Sequence, residues 1–132
     1  MKETVRIKKL KDAAKIPTYG SEYSAGADLY ACTEADFVIE PGETVVVKTG
    51  IAMEIPVGYA GFIYARSGLA TKEGLAPANK VGVVDADYRG EVCVILVNLS
   101  SEEFVVEDGE RIAQMVIARH EQAEWQEVEM LD

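Results

Sequence analysis

The apolar runs of this chain are short, and Gly, Pro and acidic residues separate them. Examples are F-V-I-E (37–40), E-T-V-V-V-K (43–48), I-A-M-E-I (51–55) and G-F-I-Y-A (61–65). Runs of this length that are rich in β-branched and aromatic residues are typical of strands. Many such strands at regular spacing predict a β-sandwich or barrel, so we expect an all-β fold. Only residues 67–74 have a pattern that could form a helix.

Two dipeptides mark turns between predicted strands. Pro41-Gly42 has Pro at the second and Gly at the third turn position, which favours a type II turn and predicts a hairpin between the flanking runs. Asp108-Gly109 separates F-V-V from I-A-Q-M-V-I-A in a similar way.

The run V-C-V-I-L-V (92–97) is apolar on both faces, which predicts a strand that is buried on both sides. Such a strand could occupy a central position in a sandwich. Alternatively, its second face could contact a partner subunit. Both interpretations remain open from the sequence, and the second favours an oligomer.

Length and charge exclude several classes of protein. The 132 residues fit one domain. Thirteen basic and 23 acidic residues give a net charge of −10, which argues against binding of nucleic acid through general electrostatics. The first fifteen residues are nevertheless basic, and V-R-I-K-K-L favours an exposed edge strand over a patch for an anionic partner.

Targeting and metal signals are weak. The start lacks the apolar core of a signal peptide, and no apolar run is long enough to span a bilayer. Cys32 and Cys93 lack the spacing of a zinc site, so we expect buried free thiols. His120 is the one histidine, and we expect it to be structural or solvent-facing. These observations predict a cytoplasmic protein with no membrane partner.

Four polar, glycine-bearing segments lie between the apolar runs. Three of the five arginines, Arg66, Arg89 and Arg111, fall within them. Because arginine binds anions through paired hydrogen bonds, this placement predicts binding of a phosphorylated small molecule. Each segment alone could equally be a charged turn. The segments are S-A-G-A-D-L-Y-A (24–31), A-R-S-G-L-A (65–70), G-V-V-D-A-D-Y-R-G-E (82–91) and G-E-R-I-A-Q-M-V (109–116).

The third segment has the most chemical character. Asp85 follows V-G-V-V, which we interpret as a buried strand, so its carboxylate is placed to act as a base toward water. Tyr88 could form the apolar floor for a sugar or a base. The alternative is an acidic turn in which Tyr88 is an interface aromatic.

Together the four segments resemble the four ordered motifs of the trimeric dUTP pyrophosphatase (dUTPase) family, and the resemblance covers nearly the whole chain. It implies a single dUTPase-like domain over residues 1–132, with a jelly-roll-like β-sandwich or barrel fold. It also implies a threefold homotrimer with active sites between subunits. The implied reaction is hydrolysis of dUTP to dUMP and pyrophosphate.

The resemblance also implies roles for individual residues on the nucleoside side. Asp85 resembles the carboxylate that activates the attacking water and contacts the 3′-hydroxyl. Tyr88 resembles the ring that packs on deoxyribose and leaves no room for a 2′-hydroxyl. Asn79 resembles the asparagine of the uracil pocket, and the backbone of residues 79–90, including Val84, would contact the uracil edge.

On the phosphate side, Arg66, Ser67 and Gly68 resemble the phosphate-binding second motif, and Gln114 resembles a phosphate-contacting glutamine. Asp28 resembles a carboxylate that holds waters on Mg²⁺, the cofactor that the resemblance implies. Arg111 resembles a member of a structural ion pair.

One departure leaves other functions open. The family carries a fifth, glycine-rich motif that closes over the nucleotide as a lid, and the given sequence stops at E-V-E-M-L-D (127–132) without it. The alternative is therefore a catalytically weak or silent nucleotide-binding module. A further alternative is a relative of dCTP deaminases, which share the fold but are longer and need additional catalytic residues.

Overall fold

A computed structural model describes residues 2–66, 74–79 and 81–132, and these residues form twelve strands and no helix. Most of the segment 67–74, the one place with a helical pattern, lies outside them. In this part of the chain no helix is long and apolar enough to cross a membrane. The strands are β1 (Arg6–Lys9), β2 (Thr18–Tyr19), β3 (Ala27–Tyr30), β4 (Phe37–Ile39), β5 (Thr44–Lys48), β6 (Ile51–Glu54), β7 (Tyr59–Tyr64), β8 (Leu75–Pro77), β9 (Gly82–Val84), β10 (Cys93–Asn98), β11 (Phe104–Val106) and β12 (Arg111–Arg119).

The strands pair antiparallel in two larger and two smaller sheets. The largest sheet has the order β2-β3-β12-β7-β9, and a second sheet has the order β5-β10-β8. Two-stranded sheets are formed by β1 with β6 and by β11 with β4. The all-β prediction is confirmed. The exposed strand β1 pairs with β6 through residues 6–9, as expected for a lysine-bearing edge strand.

One apolar cluster connects the sheets. Leu29 and Met115 come from the five-stranded sheet, Val47 and Leu96 from the three-stranded sheet, and Ile39 from β4, and all five are buried. Burial of each such side chain contributes about 1.5–3 kcal/mol. The cluster explains why apolar residues alternate with exposed ones along most strands.

The predicted hairpin at Pro41-Gly42 is wrong, although the turn itself is present. Glu43 donates its backbone N–H to the Glu40 carbonyl at 2.9 Å, and Gly42 has a φ of 77°, as a type II turn requires. However, β4 pairs with β11 and β5 pairs with β10. The turn is a corner between two sheets, because the apolar face of each strand finds its partner in a distant part of the chain.

The run V-C-V-I-L-V forms β10, but it is not buried on both faces in one chain. Val94 and Leu96 are buried, whereas Cys93 is half-buried and Ile95 is 36% exposed. Val46 of β5, which lies directly opposite Ile95, is 62% exposed. The central-sandwich interpretation is therefore wrong for the isolated chain, because the described strands cover only one face of β10. Of the two predicted buried thiols, Cys32 is buried and Cys93 is only partly so.

Candidate active site

The register of the five-stranded sheet brings the first and fourth motifs together. Gln114 of β12 lies opposite Asp28 of β3 and, on its other side, opposite Tyr64 of β7. Directly opposite residues of antiparallel strands project to the same face. The neighbours Ala113 and Met115 are buried, so Gln114 and Asp28 lie on the outer face of the sheet.

Asp28 is held between two arginines. Its Oδ1 lies 3.3 Å from Nε of Arg66, and its Oδ2 lies 3.6 Å from Nη1 of Arg111. The Asp28 side chain is only 14% exposed, so this charge is largely withdrawn from water. Arg66 also donates from Nη1 to the Arg111 carbonyl at 3.4 Å. The group carries one net positive charge, and its guanidinium groups are held close together for an anionic ligand.

Gln114 connects this group to the second motif. Its Nε2 donates to the carbonyl oxygen of Ala65 at 2.9 Å. A Cβ on Gly26 would lie 2.4 Å from Oε1 of Gln114, so the side chain fits only because residue 26 is glycine. Motifs one, two and four therefore meet at one place. Ser67 and Gly68, which the resemblance adds to this place, lie outside the described residues.

The residues predicted for the nucleoside line a second place. Asn79, Val84, Asp85 and Tyr88 all border one pocket of about 210 Å³. This volume is below the roughly 300–1,000 Å³ of complete ligand sites. Apolar residues form much of its wall, and they include Ile63, Pro77, Val94 and Ile95.

The strand before Asp85 differs from the prediction of a buried strand. Strand β9 is the edge of its sheet, and only alternate residues are buried: Val84 is 8% exposed and Val83 is 58% exposed. Asp85 follows β9 and is itself exposed. A turn then places Tyr88, whose backbone N–H donates to the Asp85 carbonyl at 3.1 Å. The carboxylate therefore faces solvent at the pocket.

The two places are well separated within one chain. Strand β7 lies between β9 and β12, and it pairs Val84 with Gly61 and Gln114 with Tyr64. At about 3.4 Å per residue and 4.8 Å per strand, the Cα atoms of Asp85 and Gln114 are on the order of 15 Å apart. One chain thus presents a nucleoside-type pocket and an arginine group at different places on the same sheet.

A larger but shallower depression of about 510 Å³ lies elsewhere, beside the turn after β1. It contains none of the predicted site residues. Lys11 there forms an ion pair with Glu34 at 2.8 Å. That hydrogen bond raises the pKa of Lys11 and lowers the pKa of Glu34. Two of the charges that line this depression are therefore paired with each other.

Metal ligands are sparse on the surface of a single chain. Within residues 2–66, 74–79 and 81–132, no group of three or more His, Cys, Asp or Glu side chains is arranged to hold a metal ion. Asp28 is the one predicted metal-associated residue, and arginines contact both of its oxygens.

Sequence reasoning missed several residues at these places. Gly26 and Gly90 each allow a close approach by a site side chain, and Glu91 and Cys93 line the pocket beside Asp85. The glycines within the four motifs were the available signal, because glycine permits close packing against its backbone.

Comparison with known proteins identifies the family of this chain. The dUTPase family model matches residues 12–132. A deoxyuridine 5′-triphosphate nucleotidohydrolase of Syntrophotalea carbinolica is 48% identical over 129 residues, which cover 98% of this chain and 88% of that protein. The protein of the same name from Rickettsia felis is 49% identical over 124 residues, with coverage of 93% and 84%.

Solved structures show the same fold. A mutant dUTPase from phage phi11 of S. aureus, described with a structural Mg(II) ion, superposes with a TM-score of 0.89 at 25% identity, covering 98% of this chain and 99% of that chain. The Staphylococcus bacteriophage 80alpha dUTPase with dUpNHpp gives a TM-score of 0.89 at 28% identity, with coverage of 99% and 91%. The fold and the four motifs define a nucleotide hydrolase. This chain belongs to the dUTPase family.

Proposed function

We propose that this chain hydrolyses dUTP to dUMP and pyrophosphate, and that Asp85 activates the attacking water. The observation that carries the proposal is the pocket bordered by Asn79, Val84, Asp85 and Tyr88, in which a carboxylate, an amide and an aromatic ring converge. The substrate is inferred from the two relatives above, because both are named deoxyuridine 5′-triphosphate nucleotidohydrolases. A single domain over residues 1–132 and a cytoplasmic location stay predictions.

Asp85 is suited to the chemical step. Its exposed carboxylate can accept a proton from a water molecule at the mouth of the pocket. That water then attacks phosphorus, and the bond to the pyrophosphate oxygen breaks. Tyr88 and the apolar wall hold the nucleoside, so the reacting groups meet in one orientation.

The arginine group is suited to the phosphates. Arg66 and Gln114 can donate hydrogen bonds to phosphate oxygens, and Ser67 and Gly68 would add donors by the family resemblance. Asp28 and Arg111 hold the Arg66 guanidinium in place. Donors fixed before the reaction stabilise developing charge better than mobile ones.

The residues present fit Mg²⁺ that arrives with the nucleotide. Two arginines beside Asp28 disfavour a bare divalent cation, but they attract a triphosphate that carries one. Asp28 oxygens retain lone pairs that can hold metal-bound waters, in keeping with the reluctance of Mg²⁺ to lose its hydration shell. When bound, Mg²⁺ supplies charge that neutralises the phosphates.

We infer a homotrimer with each site shared between two subunits. Asp85 and the Arg66 group are too far apart within one chain to contact the same α-phosphate and its attacking water. Exposed apolar residues also support assembly: Val83 is 58% exposed on the outer face, and Trp125 is 91% exposed in the C-terminal segment. Exposed apolar side chains are candidates for contacts with a partner subunit, because their burial there would stabilise the assembly.

Substitution of the proposed base tests the function. Pyrophosphate release from dUTP in Mg²⁺ should exceed release from dTTP, dCTP and UTP. The Asp85→Asn variant should lose turnover by about 10²–10⁴-fold while it still binds dUTP. Equal loss of binding would refute the base assignment. Binding of dUTP without turnover by the unsubstituted protein would support the silent-module alternative, and ammonia release from dCTP would support the deaminase alternative.

A mixed assembly tests the shared site. Asp85→Asn and Arg66→Ala subunits carry different tags and are expressed together, and assemblies with both tags are purified. In a ring of three, one interface pairs an intact Asp85 with an intact Arg66, so about one third of the activity should return. If each site lay within one chain, every site would be defective and no activity would return. Each variant assembled alone is the control.

A further inference from the structure

The ring of Tyr88 lies against Gly90. A Cβ placed on Gly90 would be 2.6 Å from the Tyr88 hydroxyl oxygen and 2.8 Å from its Cζ. Cβ atoms do not approach non-bonded atoms this closely, so any side chain at residue 90 would displace the ring. The φ of Gly90 lies outside the left-handed region, so its backbone would accept an L-residue. The Tyr88 ring is therefore the contact that requires glycine here.

A hydrogen bond fixes the same, hydroxyl end of the ring. The Tyr88 hydroxyl donates to the carbonyl oxygen of Glu91 at 2.8 Å. The Glu91 carboxylate accepts the backbone N–H of Gly50 at 2.8 Å, and the next residue, Val92, donates its N–H to the Ile51 carbonyl at 2.8 Å. The acceptor of the tyrosine hydroxyl thus belongs to backbone that is anchored to the turn between β5 and β6.

We propose that Gly90 is a specificity-determining positioning residue, which sets the pose of the Tyr88 ring and thereby the rejection of ribonucleotides. The proposal rests on the proposed function, in which this ring packs on the sugar. Gly90 itself need not touch the substrate. It acts by leaving space for the hydroxyl end of the ring to approach the backbone and reach the Glu91 carbonyl.

The physical reason concerns steric selection. A ring that packs on deoxyribose rejects a 2′-hydroxyl only if it cannot move aside, because a displaced ring opens space for the extra oxygen. Tyr88 is 44% exposed, so the surrounding side chains do not confine it on all sides. The contact with Gly90 and the hydrogen bond to Glu91 supply that confinement.

The test compares kcat/KM for dUTP and UTP in the assembled protein. Gly90→Ala should lower the dUTP-to-UTP ratio by about tenfold or more, mainly through a faster UTP reaction, because the displaced ring opens space for the 2′-hydroxyl. Gly20→Ala is the control, because a Cβ on Gly20 meets only the Ser24 hydroxyl at 3.9 Å. A Gly90→Ala ratio that equals or exceeds that of the unsubstituted protein would overturn the proposal.

Two further variants separate positioning from general damage. Tyr88→Phe keeps the ring and removes its hydroxyl, and it should lower the ratio in the same direction by about two- to fivefold. In a Tyr88→Ala background, adding Gly90→Ala should change the ratio no further, since the ring is gone. A further fall there would contradict action through the ring.

If the unsubstituted protein does not hydrolyse dUTP, the proposed function fails, independently of how Gly90 and Tyr88 are arranged.

Discussion

Gln114 lies directly opposite Asp28 across the ladder of β3 and β12, on the outer face of the five-stranded sheet. Asp28 reaches Arg66 and Arg111 from this position, and Gln114 reaches the Ala65 carbonyl. Two residues far apart in sequence thus hold the segment that begins the second motif. The register of one pair of strands therefore determines whether Gln114 and Arg66, the proposed phosphate donors, converge.

Gly26→Ala should disturb this convergence. The new Cβ would lie 2.4 Å from Oε1 and 3.0 Å from Cδ of Gln114, so the side chain must leave the Ala65 carbonyl. We expect kcat/KM for dUTP to fall by about tenfold, because a phosphate donor and its support move by about an ångström. Steady-state kinetics with dUTP measure this.

Combining Gly26→Ala with Gln114→Ala tests whether the substitution at Gly26 acts through the Gln114 side chain. Gln114→Ala alone should also lower kcat/KM, and adding Gly26→Ala to it should cost less than Gly26→Ala does alone, since Oε1 and Cδ are absent and only the Cβ of residue 114, at 3.0 Å, stays close. Full additivity of the two losses would show that Gly26 acts elsewhere. Gly20→Ala again serves as the glycine control, because its added Cβ meets only the Ser24 hydroxyl at 3.9 Å, an ordinary contact.

Local turns could be predicted from the sequence, whereas strand partners could not. Pro41-Gly42 forms the predicted turn because two adjacent residues determine its backbone angles. Its flanking strands join different sheets because Ile39 pairs with Phe104 and Val47 with Val94. Such pairings depend on which distant apolar faces fit together, and the spacing within a run carries no information about that.

The candidate site also has one part that the sequence predicts and another part that depends on tertiary structure. The motifs predicted Asp28, Asp85 and Tyr88 as site residues, because their residue types carry the chemistry. Supporting contacts such as the one between Gly90 and the Tyr88 ring depend on tertiary geometry, and a glycine in a sequence does not reveal what lies against it. The separation between the Asp85 pocket and the Arg66 group likewise depends on the order of strands in the sheet, which places β7 between β9 and β12.

Asn98 is a buried polar residue whose loss should destabilise the fold. Its side chain is fully buried, donates to the Ile39 carbonyl at 2.9 Å and to the Glu102 carbonyl at 2.8 Å, and accepts the Ser100 N–H at 3.0 Å. Asn98→Ala should lower the free energy of unfolding by about 2–4 kcal/mol, because these buried groups lose their partners.

Urea unfolding followed by circular dichroism measures the loss at Asn98. Ser101→Ala in the neighbouring exposed turn is the control and should change the free energy by less than about 0.5 kcal/mol. An Asn98→Ala loss as small as that of the control would mean that water replaces the lost hydrogen bonds. The contact between β4 and the end of β10 would then need no side-chain hydrogen bond.

Cys93 should report nucleotide binding without any measurement of catalysis. It lines the pocket with Asp85 and Tyr88, and burial raises the pKa of its thiol. Since the thiolate is the reactive form, alkylation by iodoacetamide at pH 8 should be slower than for a free thiol and should accelerate as the pH rises. Saturating dUMP should slow it further by about tenfold, because the ligand covers the sulfur. Peptide mass spectrometry resolves Cys93 from the buried Cys32, which serves as an internal control. An unchanged rate at Cys93 with bound dUMP, or equal protection of both cysteines, would place the nucleotide outside this pocket.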